Sequence, residues 1–181
     1  MALIYSCDGV TSQKYSKIEP IEAPLPFKDI IDFETWLRMK YFQIALIKNI
    51  ECLGIFSSEK SFERACQKYP NSQNTSDFEN FLRGKIVSHN HPSDSTLSCS
   101  DVLVAANLGL KEIRAVTTLW TYSMKPLKQK WPDPELIIGE IRKIYPSITL
   151  DKFNVEHQLR HECYQTLSKK GLFEYSKTYP Y

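Results

Sequence analysis

Residues 84 to 109, GKIVSHNHPSDSTLSCSDVLVAANLG, constrain the fold more than any other part of the chain. The opening GKIVSHN predicts a strand, because the β-branched pair IV precedes the first histidine. Ser98, followed three residues later by Asp101 and then by an apolar run, is a helix N-terminus signature. Gly109 is a typical helix stop. A strand, a loop and a capped helix in direct succession predict a fold that mixes strands with helices.

Helix and strand patterns are mixed over the rest of the chain as well. Helices are predicted at 29 to 48, 59 to 69, 134 to 145 and 151 to 170. The predicted caps are Ser57 or Ser58 for the second of these helices, Asp133 for the third and Asp151 for the last, which is expected to end at Gly171. Strands are predicted at 50 to 56 and, as a pair, between 111 and 125. The polar stretch 70 to 77 is expected to be an exposed loop. The sequence therefore predicts an α/β or α+β class without an internal repeat.

The length of 181 residues predicts a single domain with short extensions. Residues 1 to 28 are expected to form an extended lead-in, because the three prolines of EPIEAPLPF oppose both helix and central strand. Residues 29 to 130 are expected to form the core. Residues 131 to 181 are expected to form a C-terminal helical extension packed on that core.

Composition excludes several classes of function. The formal net charge is +2 and the basic residues are scattered, so no nucleic-acid partner is expected. No segment approaches the roughly 18 apolar residues of a membrane span. The cysteines are odd in number and contain no C-x-x-C, which argues against a disulfide framework and favours a reducing compartment. The expected location is the cytoplasm, or a host cytosol if a secretion system delivers the protein.

The two histidines at the end of the predicted strand are candidate metal ligands. In an extended segment, residues two apart point to the same side, so His89 and His91 can present both imidazoles to one point. A third ligand from Asp94, Asp101 or a more distant glutamate would give the three protein ligands and open position of a catalytic zinc site. The plainer alternative is a surface pair of histidines without a metal.

The wider pattern resembles a known enzyme family. The HNHP segment at 89 to 92, followed by Ser98 and Asp101 in S-x-x-D, resembles the H-x-H-P…S-x-x-D signature of the JAMM (MPN+) zinc metalloproteases, which include deubiquitinating isopeptidases. The wording is closest to bacterial and phage branches, such as RadC-like proteins and the JAMM domains of phage polyproteins. The segment IECLGIF is similar to the E-x-x-G stretch of the family, and the resemblance covers roughly residues 30 to 125.

The resemblance implies a single-domain MPN (JAB) fold, with a mixed β-sheet flanked by helices in a cytidine-deaminase-like arrangement. It implies that His89, His91 and Asp101 bind one Zn²⁺ and that a water takes the fourth position. Glu51 would then act as general base and general acid, and Ser98 would donate a hydrogen bond to the oxyanion. The expected partner is a protein substrate carrying an isopeptide bond, such as a ubiquitin or ubiquitin-like conjugate.

The choice of Glu51 as the base depends on the second motif. Spacing alone does not choose among the glutamates that precede the histidines: Glu51, Glu59, Glu63 and Glu79. Only Glu51 stands in E-x-x-G, with Gly54 three residues later. Two features depart from the family: Asn90 stands between the histidines where many eukaryotic members have Ser or Thr, and six residues separate His91 from Ser98 where many members have seven.

Alternative functions remain open from the sequence. One alternative is a catalytically silent MPN scaffold, against which the intact set of Glu51, His89, His91, Ser98 and Asp101 weighs. The other is a zinc hydrolase that acts on a different substrate. The insert-like stretch 58 to 83 is expected either to hold an extended substrate tail by strand addition or to cover the core. His157 and His161 are expected on a solvated helix face, and Cys99 is expected to be a small buried residue without a nucleophilic role.

Overall fold

The computed structural model describes residues 2–4, 10–11, 21–41, 44, 50–68, 73–74, 76–91 and 95–180. The strands in these ranges are β1 (Ala2–Ile4), β2 (Val10–Thr11), β3 (Ile21–Ala23), β4 (Glu51–Ser58), β5 (Ser61–Lys68), β6 (Gln73–Asn74), β7 (Ile86–Asn90), β8 (Glu112–Val116), β9 (Thr121–Pro126) and β10 (Phe173–Thr178). The helices are α1 (Ile30–Tyr41), α2 (Ser76–Leu82), α3 (Cys99–Leu108), α4 (Pro134–Ile144), α5 (Leu150–Val155) and α6 (His157–Lys169).

Six strands form one mixed sheet in the order β10-β9-β8-β7-β4-β5. The central pair β7 and β8 is parallel, and the other neighbours are antiparallel. Helix α3 connects the two parallel strands, as a crossover between parallel neighbours requires. All residues of β7 are buried, in keeping with its central place. The predicted α/β class and mixed sheet flanked by helices are confirmed.

Helices cover both faces of this sheet. Because alternate residues of a strand face opposite sides, Leu53 and Ile55 of β4 pack into the cluster beneath α2 to α6, whereas Cys52 and Phe56 pack beneath α1. The α1 side is rich in aromatic rings, and Phe33 lies near Phe56 with ring centroids 6.0 Å apart. The α3 side of the sheet is therefore the side on which the odd-numbered residues of β4 lie.

Several predicted boundaries are confirmed. Helix α3 starts after the N-cap Ser98, with a capping box to Asp101, and it ends at Gly109, whose φ of 62° needs the freedom of a glycine. Asp133 caps α4, with its side chain accepting a hydrogen bond from the amide of Glu135. Strands β4, β8 and β9 lie within or close to the predicted segments.

The helix predicted over 59 to 69 is wrong. Residues Ser61–Lys68 form β5, which pairs antiparallel with β4 from Ser58 opposite Ser61 to Glu51 opposite Lys68. Ser58 belongs to β4 and does not cap a helix. The apolar residues of this segment recur at helical intervals, but the hydrogen bonds that β4 offers override that local pattern. Exposure alternates only loosely along β5, as is usual at a sheet edge.

The C-terminal prediction needs two corrections. The helix predicted over 151 to 170 is divided into α5 and α6, and Thr149, rather than Asp151, caps α5 by accepting a hydrogen bond of 3.2 Å from the amide of Lys152. The chain then turns back at Gly171 and forms β10, which pairs along its whole length with β9. Residues 131 to 181 are therefore not helical throughout, because they also supply an edge strand of the main sheet.

The N-terminal part contributes to the core on the α1 side. Strand β1 pairs with β3, and the buried side chains of Ile4 and Ile21 belong to the same cluster as α1. Helix α1 is described as far as Tyr41, so most of the rest of the prediction to Lys48 lies outside the described residues.

The cysteines differ in state. Cys52, Cys99 and Cys163 are free and buried, whereas Cys66 is disulfide-bonded. The expectation that the cysteines would be reduced is therefore wrong for Cys66, and cysteine usage does not support a reducing compartment. Within the described ranges, no helix combines the length and the apolarity that crossing a bilayer requires.

Gly54, the glycine of the E-x-x-G stretch, allows α1 to lie close against β4. A Cβ atom at this position would be 2.5 Å from Cε1 of Phe33 and 2.8 Å from Cε2 of Phe56. We expect Gly54→Ala to lower the free energy of unfolding by about 1–3 kcal/mol, because neither ring can move without disturbing a packed core. Urea denaturation measures this change.

The matched control for this substitution is Gly139→Ala in α4, where an added Cβ meets nothing within 4 Å. There we expect a gain of about 1 kcal/mol from helix propensity. Equal stability changes for the two variants would contradict the close-packing explanation of Gly54.

Candidate metal centre

Four side chains meet at the end of the sheet where the parallel strand β7 finishes. Glu51 is the first residue of β4, and His89 lies on the neighbouring strand β7. His91 follows β7 and is fixed by its amide, which donates a 3.0 Å hydrogen bond to the carbonyl of Val116. Asp101 lies in the first turn of α3. The carboxyl ends of parallel strands are where α/β proteins commonly bind ligands.

The donor atoms of these side chains converge on one point. The ligand atoms of Glu51, His89 and His91 all lie within 4.8 Å of one another. Nε2 of His91 lies 3.1 Å from Oδ2 of Asp101, and Nε2 of His89 lies 3.8 Å from Oδ1 of the same carboxylate. Both histidines and Glu51 are at most 9% exposed. Within the described residues, Glu51, His89 and His91 form the group that could hold a metal ion, and the Asp101 carboxylate lies against the same two imidazoles.

The ring of His91 is held in one orientation. Its Nδ1 lies 2.9 Å from the carbonyl oxygen of Ser95 and 3.2 Å from the Ser95 hydroxyl. Since a carbonyl oxygen only accepts, Nδ1 carries the hydrogen, and Nε2 faces the other ligands. Metal-binding histidines are usually oriented in this way by a hydrogen bond from the second ring nitrogen.

Asp101 combines a capping role with its place beside the histidines. Its Oδ2 accepts hydrogen bonds of 2.7 Å from both the amide and the hydroxyl of Ser98, and its own amide donates to Ser98 Oγ at 3.1 Å. The helix start therefore fixes the carboxylate one turn away from the loop that carries His91. The hydroxyl proton of Ser98 points to Asp101 in this arrangement.

The charges of this group depend on each other. Burial raises the pKa of the Asp101 carboxyl, but the hydrogen bond to His91, the charges of both histidines and the Ser98 hydroxyl together hold it well below its usual range. Burial lowers the pKa of His91, but Asp101 and the charge of Glu51 raise it above its ordinary value. A cation that binds here takes the place of the proton on His91.

Donor chemistry fits zinc. Two imidazole nitrogens and a carboxylate oxygen are the ligand types of a catalytic zinc site, and they leave the bound ion with a net positive charge. Of the four glutamates considered from the sequence, Glu51 alone joins the histidines in a cluster of possible ligands within the described residues. Glu59 and Glu63 are exposed and form ion pairs with Arg114 and Lys85.

Two other residues considered from the sequence are Asp94 and Cys99. Asp94 lies outside the described residues. Cys99 is buried, its amide donates to Oδ1 of Asn154, and burial raises the pKa of its thiol to about 11, so the thiol is poorly suited to nucleophilic attack.

Arg160 of α6 is a site residue that the sequence analysis missed. Arg160 as a whole is 2% exposed. Nε donates to the carbonyl of Leu97 at 3.1 Å, and Nη2 donates to the hydroxyl of Ser95 at 3.1 Å and to the carbonyl of Thr96 at 3.3 Å. Nη1 donates to the carbonyls of Phe153 and Asn154. One buried cation therefore holds the loop that orients His91 against the C-terminal helices.

The prediction of a solvated face for the α6 histidines is right for His157 and wrong for His161. His157 is exposed, whereas His161 is half-buried and its Nδ1 lies 2.8 Å from the hydroxyl of Tyr175. That hydroxyl in turn lies 2.7 Å from the hydroxyl of Thr96. Neither histidine joins the cluster of possible metal ligands.

Comparisons with protein-family models, curated proteins and solved structures found no match to this chain. The resemblance to the JAMM family therefore rests on the motif residues of the sequence alone.

Proposed function

We propose that this protein is a zinc-dependent metalloprotease of the JAMM type that hydrolyses an isopeptide or peptide bond. The observation that carries the proposal is the convergence of Glu51, His89, His91 and Asp101 at the end of β7. These residues come from three elements that are up to 50 positions apart in sequence. A surface pair of histidines would need neither the burial nor the two carboxylates.

The proposal includes the fold. The resemblance implies a mixed β-sheet flanked by helices, and the six-stranded mixed sheet with helices on both faces agrees with that expectation. This agreement supports the proposal but is shared by other α/β arrangements. The metal-binding experiment below therefore tests the site independently of the fold.

In the proposed mechanism, His89, His91 and Asp101 would hold one Zn²⁺, which would activate a water and polarise the scissile carbonyl. Glu51 accepts the proton of the attacking water and transfers it to the departing amine. His91 keeps its orientation through Ser95. The hydroxyl of Ser98 donates a hydrogen bond to the developing oxyanion, for which it must turn away from Asp101. No covalent intermediate with the protein is needed.

The proposed substrate is a protein, such as a conjugate in which ubiquitin or a ubiquitin-like protein is joined to a lysine. This choice comes from the resemblance, since the chemistry of the site fits any amide. We also propose a cytoplasmic location, or a host cytosol for a delivered protein, because no segment of the sequence approaches the length of a membrane span.

Metal analysis of the purified protein tests the site first. We expect about one zinc per chain, and we expect its loss in His89→Ala and His91→Ala, because each variant removes one of three protein ligands. His157→Ala on the exposed face of α6 is the matched control and should retain the metal. Full zinc content in both ligand variants would refute the site.

A panel of ubiquitin and ubiquitin-like conjugates tests the substrate. Cleavage by the zinc-loaded protein that is absent from the His89→Ala variant would support the isopeptidase. A zinc-loaded protein that cleaves none of the conjugates would instead favour a hydrolase with another substrate or a silent scaffold.

A further inference from the structure

The strands β4 and β7 part at the candidate metal centre. Their backbone pairing runs from Phe56 opposite Ile86 to Leu53 opposite His89, and there it ends. Beyond this point β4 follows β5 as far as Glu51, and β7 follows β8 as far as Asn90. Glu51 therefore lies at the end of β4 that extends beyond its pairing with the histidine strand.

The side chain of Asn90 connects β7 to β4 beyond the point where their backbone pairing ends. Its Oδ1 accepts a 2.6 Å hydrogen bond from the amide of Cys52, and its Nδ2 donates a 2.9 Å hydrogen bond to the carbonyl of Ile50. These are the peptide groups on either side of Glu51. A carboxamide both accepts and donates, so one side chain satisfies both groups. Asn90 is 1% exposed, and water does not compete for these bonds.

Asn90 acts on Glu51 through the backbone. Since it lies between His89 and His91 on an extended strand, its side chain points to the opposite face from theirs. Ser88, two residues earlier on the same face, bonds to Glu34 of α1 at 2.9 Å. The side chain of Asn90 thus lies on the face of the sheet that α1 covers. It acts on the metal centre through its hydrogen bonds to the two peptide groups that flank Glu51.

We propose that Asn90 is a positioning residue, which fixes the backbone of Glu51 so that the carboxylate lies at the correct distance from the histidine ligands. This inference rests on the proposed function. It assigns a purpose to the residue between the histidines, where the sequence shows only a departure from the motif of many eukaryotic members.

Absorption spectroscopy of the Co²⁺-loaded protein, together with steady-state kinetics, tests this inference. The variants are Asn90→Ala, Glu51→Gln and the double variant. We expect Asn90→Ala to bind Co²⁺ but to shift the visible spectrum in the same direction as Glu51→Gln. We expect its kcat to fall about 100-fold at nearly unchanged KM, because misplacement of a reacting group by about 1 Å has an effect of that size. In the Glu51→Gln background, Asn90→Ala should add almost nothing to either readout.

Ser88→Ala is the matched control, because it removes a buried hydrogen bond from the same face of β7 without touching the peptide groups of Glu51. It should leave the spectrum and kcat unchanged. If Asn90→Ala does not fold, Asn90→Asp takes its place, since it keeps the size and the acceptor but loses the donor to Ile50.

The outcomes separate the two proposals. A wild-type protein that binds no Co²⁺ would overturn the proposed function. A wild-type protein that binds Co²⁺, with an Asn90 variant that keeps the wild-type spectrum and kcat, would overturn the inference alone. Full additivity of Asn90→Ala and Glu51→Gln would also overturn it, because the two residues would then act independently.

Discussion

Replacing Glu51 with glutamine is expected to leave zinc bound and to lower the rate of hydrolysis about a thousandfold. The amide of glutamine has nearly the size of the carboxylate but cannot accept the proton of the attacking water. If His89, His91 and Asp101 are the ligands, none of them is changed. Metal analysis and single-turnover hydrolysis of the same preparation measure the two effects together.

Asp101→Asn is the companion variant, because the structure offers both carboxylates to the histidines. We expect it to lose zinc, since an amide oxygen carries no charge to offset that of the ion. The opposite result, with zinc lost from Glu51→Gln and retained in Asp101→Asn, would make Glu51 a ligand. The base would then have to be found elsewhere.

Local signals made much of the centre predictable. The capping box of Ser98 and Asp101 is formed by residues three apart, and the alternation of a strand places His89 and His91 on one side. Both follow from short-range geometry, which a sequence displays directly. The same holds for the end of α3 at Gly109 and for the start of α4 at Asp133.

Features that depend on distant partners were not predictable in the same way. The apolar residues of β5 are spaced as in a helix. The segment forms a strand because the edge of β4 offers backbone hydrogen bonds to it. Arg160 stands in the charged sequence EHQLRHE, which is typical of a solvated helix. Its guanidinium donates to the carbonyls of Leu97 and Phe153, and because Leu97 lies far away in sequence, the residues around Arg160 do not reveal this burial.

Arg160→Met is expected to lower the free energy of unfolding by about 3–5 kcal/mol and to weaken zinc binding about 10- to 100-fold. Methionine fills most of the volume but donates no hydrogen bond, so buried carbonyls and the Ser95 hydroxyl lose their donor. Zinc binding should weaken because Ser95 accepts the hydrogen bond that orients His91 through Nδ1, and Ser95 in turn accepts a hydrogen bond from Arg160. Urea denaturation of the metal-free protein and competition with a zinc chelator measure the two effects separately.

Arg142→Met in α4 is the matched control, because this arginine is exposed. Its effect on stability should stay within about 0.5 kcal/mol, and its zinc affinity should equal that of the wild type. Arg160→Lys keeps the charge but has three donors in place of the planar fork, so it should fall between the wild type and Arg160→Met in both measurements. A destabilised Arg160→Met protein with wild-type zinc affinity would mean that Arg160 stabilises the C-terminal helices without orienting His91. In that case the orientation of the ring would depend on the carbonyl of Ser95 alone.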